Sequence, residues 1–191
     1  MNQKQILIQN LKENGFSREI LDAFSKVKRE DFIPANLRNM AYEDTALPLG
    51  FQQTISQPYT IATMFSLLEL KKGEKVLEVG SGCGYVLALL SEITGIKGEV
   101  FGIEIIKELA EKSKENLKNY KNIEIKTGNG RFGWKEKAPF DRIIISAAAY
   151  DEIPSSLAEQ LKEKGIIVAP LGNVYGQSLV AYQKINEKLK L

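Results

Sequence analysis

The chain contains no histidine, a single tryptophan and a single cysteine. Without histidine there is no Ser–His–Asp triad, no imidazole general base and no ordinary zinc site. One cysteine, Cys83, excludes an internal disulfide. No apolar run approaches the roughly 20 residues that span a bilayer. The N-terminal stretch MNQKQILIQNLKENG carries acidic and amide residues, unlike a signal peptide. Charge of one sign is scarce too: 26 basic against 24 acidic residues leave +2, too even to point to nucleic acid or an anionic membrane. These absences lead to the expectation of a cytoplasmic protein whose chemistry needs neither an imidazole nor a metal.

What is present suits one folded unit. A length of 191 residues with 43 % hydrophobic content can build a sizeable core, which argues against disorder. Residues 3–14 and 17–28 read as helices: Ile6, Leu7 and Leu11 stripe the first, and Ile20, Leu21, Phe24 and Val27 the second. Residues 30–57, with Pro34, Pro48 and Gly50, are irregular. That is long for a structureless connection, so the segment is functional or hides a short element.

From Pro58 the pattern changes. PYTIATMFSLLEL reads as a helix with proline in its first turn. Strands at 75–79, 99–105, 122–127, 140–148, 165–172 and 178–185 then alternate with helices at 84–93, 107–120 and 155–164. The fold class is therefore α/β, a doubly covered sheet with a small N-terminal helical appendage. The division expected is 1–57, helices and a covering segment, and 58–191, the core, together one compact unit. NEKLKL at the end reads as a turn and the start of a further strand. Six clear strands are expected, with the last one truncated. Such an open edge fits a monomer or weak dimer.

The sharpest motif is VLEVGSGCGY, residues 76–85. A strand runs into Gly80, Gly82 and Gly84, and a helix follows. Glycines allow a tight turn and close ligand approach, and the helix start offers free N–H groups. Ser81 lies within the loop. The dinucleotide pattern G-x-G-x-x-G is not met, because Tyr85 stands where the third glycine belongs. Glu104, 24 residues after Gly80, ends the second strand, where an acid accepts hydrogen bonds from a ribose diol. Gly128, Asn129 and Gly130 follow the third strand, and the Asn129 amide oxygen is a neutral acceptor for an amino group. Ser56 has two readings: a functional hydroxyl, or a cap for the helix that starts near Pro58. Cys83, Phe132 and Trp134 read as packing residues, and the lysine-rich helix 107–120 as a solvated face.

Five blocks in order carry a family resemblance: FIP (32–34), AYEDTALPLGFQQTISQPY (41–59), VLEVGSGCGY (76–85), GNGRFGW (128–134) with APFDRIIISAAA (138–149), and IVAPLG with QSL (167–179). Together they resemble the protein-L-isoaspartate O-methyltransferases, class I S-adenosylmethionine-dependent methyltransferases with a Rossmann-like fold. The resemblance implies methyl transfer from S-adenosyl-L-methionine to the free carboxylate of L-isoaspartyl residues in damaged proteins and peptides, leaving S-adenosyl-L-homocysteine. It implies Ser56 as the active-site serine. It implies cofactor contacts at Thr54, Ile55, Gly80, Ser81, Gly82, Gly84, Glu104, Asn129 and Gly130, and a substrate side formed by Ser56, Ala147 and Ala148. The family's usual GDG stands here as GNG. Two other readings stay open on sequence: another class I methyltransferase acting on RNA or a small molecule, and a weakly active protein that binds the cofactor.

Overall fold

The chain's first helical stripe forms α1 (Gln3–Glu13), opened by a capping box in which Asn2 and Gln5 each accept the other's main-chain N–H at 2.9 Å. Helix α2 (Arg18–Lys26) follows, then two short 3-10 helices, Arg29–Phe32 and Ala35–Met40. The element hidden in the irregular stretch is an antiparallel hairpin of β1 (Leu47–Gly50) and β2 (Gln53–Ile55). Strands this short show no period in sequence. The computed structural model describes residues 1–147, 152–173 and 176–191.

The rest of the chain is α3 (Pro58–Leu68), β3 (Lys75–Val79), α4 (Tyr85–Thr94), β4 (Glu99–Glu104), α5 (Lys107–Asn116), β5 (Ile123–Thr127), β6 (Phe140–Ile145), α6 (Ser155–Glu159), β7 (Leu161–Asn173), β8 (Gly176–Ile185) and β9 (Lys188–Lys190). One sheet takes the order β5-β4-β3-β6-β7-β8-β9. Its pairs are parallel from β5 to β7, and β8 and β9 are antiparallel. The chain leaves β3 for β4 on one side and reaches β6 on the other. A crevice therefore opens past the end of β3, where α/β sheets bind ligands.

Side chains alternate across the sheet as the pleat requires. Val76, Val100, Ile144 and Val168 join the core under α1 to α4, whereas Leu77, Phe101, Ile143 and Ile167 join a second core with Leu157. Leu7, Leu11 and Phe24 of the N-terminal helices belong to the first core, so residues 1–57 share an interior with the sheet.

Two expectations are corrected. The sheet has seven strands, not six: β9 forms with three residues and pairs Lys184 with Leu189. Its turn holds Asn186 and Glu187 at φ +51° and +62°, and Glu163 accepts the Asn186 N–H at 2.8 Å. The predicted helix 155–164 stops at Glu159. Leu161 instead pairs with Phe140, and Lys162 meets Asp141 at 2.7 Å, so sheet pairing overrides the helical pattern.

Candidate active site

The three glycines at the end of β3 do three different things. All have positive φ, +82°, +50° and +88° for Gly80, Gly82 and Gly84. A Cβ on Gly80 would stand 2.8 Å from that of Ala147, so Gly80 lets the loop abut the end of β6. A Cβ on Gly84 would stand 2.4 Å from Ser113 Oγ and 2.6 Å from Leu117 Cδ1, so Gly84 lets α4 start against α5. A Cβ on Gly82 would meet only Leu49 Cδ1, at 3.7 Å. Gly82 is the glycine that opens towards the hairpin.

Glu104 fastens this loop. Its Oε2 accepts the Gly82 N–H at 2.8 Å and its Oε1 accepts the Ile106 N–H at 2.9 Å. Each oxygen has a further lone pair for another donor. Gly80 and Ser81 donate their N–H groups to the Ile103 carbonyl at 2.8 and 3.1 Å. Asn129, after β5, is exposed, and its Oδ1 accepts the Arg131 N–H at 2.9 Å. Gly130 is needed beneath it, since a Cβ there would be 2.4 Å from Val79 Cγ1. Ile105 and Phe132, each 65 % exposed, add apolar surface near these turns. Phe132 is thus a surface residue, while Trp134 packs edge-on to Phe101 at 5.5 Å between ring centres.

A narrow cleft separates the hairpin from the glycine loop. Leu49, Thr54, Ile55 and Ser56 line one side, and Gly80, Ser81, Gly82 and Cys83 line the other. Gly84, Glu104, Asn129, Gly130 and Ala147 do not line it: Glu104 reaches it through the Gly82 N–H, and Ala147 stands behind Gly80. Ala148 lies outside the described residues. The capping alternative for Ser56 is not taken up. Gln57 is the N-cap and makes no side-chain cap bond, while Asp44 Oδ1 accepts the Tyr59 N–H of the first turn at 2.7 Å. Asp44 therefore supplies the cap.

Three residues escaped the sequence reading: Glu78, Ser146 and Arg29. Glu78 is 1 % exposed at the penultimate position of β3 and lines the cleft with Ser146. Ser146 Oγ donates to Glu78 Oε1 at 2.7 Å, and Oε2 has no partner among the described residues. Burial pushes the Glu78 carboxyl up to about 8, opposed by the Ser146 bond and reinforced by the charge of Glu104. An acid inside the apolar run KVLEV was the signal available. Burial likewise raises the Cys83 thiol to about 12, which makes it an inert packing group. A much larger cavity, about 900 Å³, lies at the other end of the sheet among Lys72, Gly95 and Asn122, and holds none of these residues.

The family model for protein-L-isoaspartate(D-aspartate) O-methyltransferase matches residues 2–191. A protein-L-isoaspartate O-methyltransferase of Dictyoglomus turgidum is 46 % identical over 188 residues, 97 % of this chain and 82 % of that one. One of Methanothrix thermoacetophila is 46 % identical over 183 residues, 95 % of this chain and 86 % of that one. Among solved structures, a protein-L-isoaspartate O-methyltransferase superposes with a TM-score of 0.89 at 31 % identity, over 97 % of this chain and 61 % of that one. A protein-L-isoaspartate O-methyltransferase from Plasmodium falciparum, in complex with S-adenosyl-L-homocysteine, gives 0.86 at 27 % identity, over 100 % of this chain and 93 % of that one.

Proposed function

Since the chain belongs to the protein-L-isoaspartate O-methyltransferase family, we propose that the cleft between Ser56 and Gly82 is where it transfers a methyl group from S-adenosyl-L-methionine to the free carboxylate of L-isoaspartyl residues in damaged proteins and peptides. The observation that carries the site is the Ser56 hydroxyl, uncommitted among the described residues: Asp44 caps α3 in its place, and Ser56 lines the cleft opposite the glycine loop.

The residues fit the cofactor. Gly82 leaves room where any side chain would intrude, and Glu78 Oε2 is a buried acceptor without a partner among the described residues. A buried acceptor left open suits a hydrogen-bond donor on a ligand. When bound, S-adenosylmethionine supplies a methyl group on a sulfonium, whose departure leaves a neutral thioether. Glu104 would accept from the ribose, and Thr54 and Ile55 would cover the cofactor. Gly80, Ser81 and Gly84 shape the loop, and Asn129 and Gly130 stand on the adenine side.

The nucleophile is a carboxylate, with a pKa of about 4, so it is ionised near neutral pH without a general base. The missing histidine is no handicap. The task left to the protein is alignment, which can lower a barrier by roughly 7–11 kcal/mol. Ser56 would donate its hydroxyl to one carboxylate oxygen and hold the other towards the methyl, with Ala147 and Ala148 on the substrate side.

Isoaspartyl proteins are the partners in this reading. Among the described residues no helix is long and apolar enough to cross a membrane. A cytoplasmic location, a monomer or weak dimer, and no nucleic-acid partner complete the proposal, the last supported by the near-even charge of +2. The test is incubation with labelled cofactor and paired peptides that differ only in Asp or isoAsp. Base-labile methylation of the isoAsp peptide alone is expected. Methylated RNA, or cofactor binding without transfer to either peptide, would overturn it.

A further inference from the structure

Arg29 is 0 % exposed and forms no ion pair among the described residues. Burying a guanidinium without a carboxylate is costly unless its donors are used. Here the two Nη groups make four hydrogen bonds to main-chain carbonyls, while Nε is buried without a partner among the described residues. Nη1 donates to Ala41 at 2.8 Å and to Glu43 at 3.3 Å. Nη2 donates to Thr45 at 2.9 Å and to Ser56 at 3.1 Å. The guanidinium also stands 6.0 Å from the ring centre of Tyr85, the first residue of α4 after the glycine loop.

These bonds bracket the hairpin. Three carbonyls precede it, and the fourth, that of Ser56, follows it. Asp44 sits between two of the gripped residues and caps α3 at Tyr59, which keeps that role from Ser56. One side chain thereby fixes the Ser56 main chain, the residue that relieves Ser56 of capping, and the distance of both from α4. The two Nη groups of a planar fork serve four carbonyls at once; an ammonium has only three donors, all on one atom.

We propose that Arg29 is a positioning residue for methyl transfer: it holds the covering segment so that Ser56 presents its hydroxyl to the cleft. This rests on Ser56 acting on the substrate carboxylate. Arg29 itself touches neither substrate nor cofactor and acts through Ser56.

The experiment is a double-mutant cycle with Arg29→Lys and Ser56→Ala, read as kcat and KM on an isoaspartyl peptide and as affinity for S-adenosylhomocysteine. Arg29→Lys is expected to lower kcat about 10-fold or more while cofactor affinity stays within about 3-fold, and to lower kcat by less than about 3-fold once Ser56 is alanine, because coupled residues are not additive. Asp44→Ala, on the same segment, is expected to lower kcat several-fold and also to lose its effect in the Ser56→Ala background. It decides the matter if Arg29→Lys does not fold. Equal losses in both backgrounds mark a merely structural arginine and overturn the proposal, as does an unchanged kcat. An unchanged rate in Ser56→Ala alone removes Ser56 from the reaction, and Arg29 with it; the single variant thus separates that failure from the other.

Discussion

Ser146 donates its hydroxyl to one oxygen of Glu78 at 2.7 Å and leaves the other oxygen buried without a partner among the described residues. Glu78 is the penultimate residue of β3 and Ser146 directly follows the adjacent β6, and Ser146 N–H also donates to the Val79 carbonyl at 2.8 Å. The carboxyl is thus placed by the sheet itself, and half of its bonding capacity points to a ligand. The pair makes the chain's stability depend on pH.

Burial holds the Glu78 carboxyl up at about 8 in the folded chain, against about 4.3 for an exposed glutamate. Between those values the folded chain keeps a proton that the unfolded chain has released. Unfolding free energy therefore falls as pH rises, by at most about 1.4 kcal/mol per pH unit from this group. The contribution is complete below the unfolded value and lost as pH rises through the folded one. Glu78→Gln is expected to abolish this slope, because the amide does not titrate in this range. Urea denaturation of both proteins at pH 5 to 8, without ligand, measures the slope; parallel curves would remove Glu78 as its source.

Ser56→Ala is expected to slow methyl transfer about 10- to 100-fold, because a hydrogen bond to a charged group contributes roughly 1.5–3 kcal/mol and each 1.4 kcal/mol is a decade. Cofactor affinity should hold. A rate loss that appears only in KM would mean the hydroxyl binds peptide without aligning it.

The glycine loop separates folding from binding. Gly84→Ala places a Cβ 2.4 Å from Ser113 Oγ. Overpacking and positive φ together are expected to cost about 2–5 kcal/mol of stability. Gly82→Ala meets nothing closer than 3.7 Å, so it should lose only about 1–2 kcal/mol from its backbone conformation. It should nevertheless lower cofactor affinity about 10-fold or more, because the new methyl points into the cleft. Thermal melts with calorimetric titration of S-adenosylhomocysteine separate the two. Similar binding losses in both variants would count against Gly82 as the point of ligand approach.

The sheet strands were legible because strands such as RIIIS and IIVAP are continuous apolar runs, which period and length identify. The turn and the start of β9 were legible in NEKLKL, but the strand was not counted, because Lys188–Lys190 is a largely exposed edge that only pairing with β8 makes a strand. The α6–β7 boundary misled because SSLAEQLKEK has helical spacing, and nothing local announces that Leu161 will pair with Phe140. Motif spacing made the glycine loop legible as one unit, but its division of labour depends on Ala147, Ser113 and Leu117, far away in sequence. Glu78 and Arg29 were hidden for the same reason. A lone charge becomes informative only when its neighbours show that it is buried.

The hairpin turn offers the last prediction. Phe51 and Gln52 join β1 to β2 at φ +53° and +57°. A two-residue hairpin turn with both φ positive favours Asn-Gly. A non-glycine residue held there costs roughly 1–2 kcal/mol. Phe51 is 55 % exposed, so no core packing offsets that cost. Replacing the pair by Asn-Gly is therefore expected to stabilise the chain, and each 1 kcal/mol should raise Tm by about 2–4 °C at this size. The same variant tests movement. Leu49 and Thr54, one to each side of the turn, line the cleft against the glycine loop. Substrate or cofactor must pass this hairpin if it opens. A higher Tm with unchanged kcat means that the hairpin turn is only strained. A higher Tm with lower kcat, measured alongside unchanged single-turnover chemistry, means that hairpin opening limits turnover.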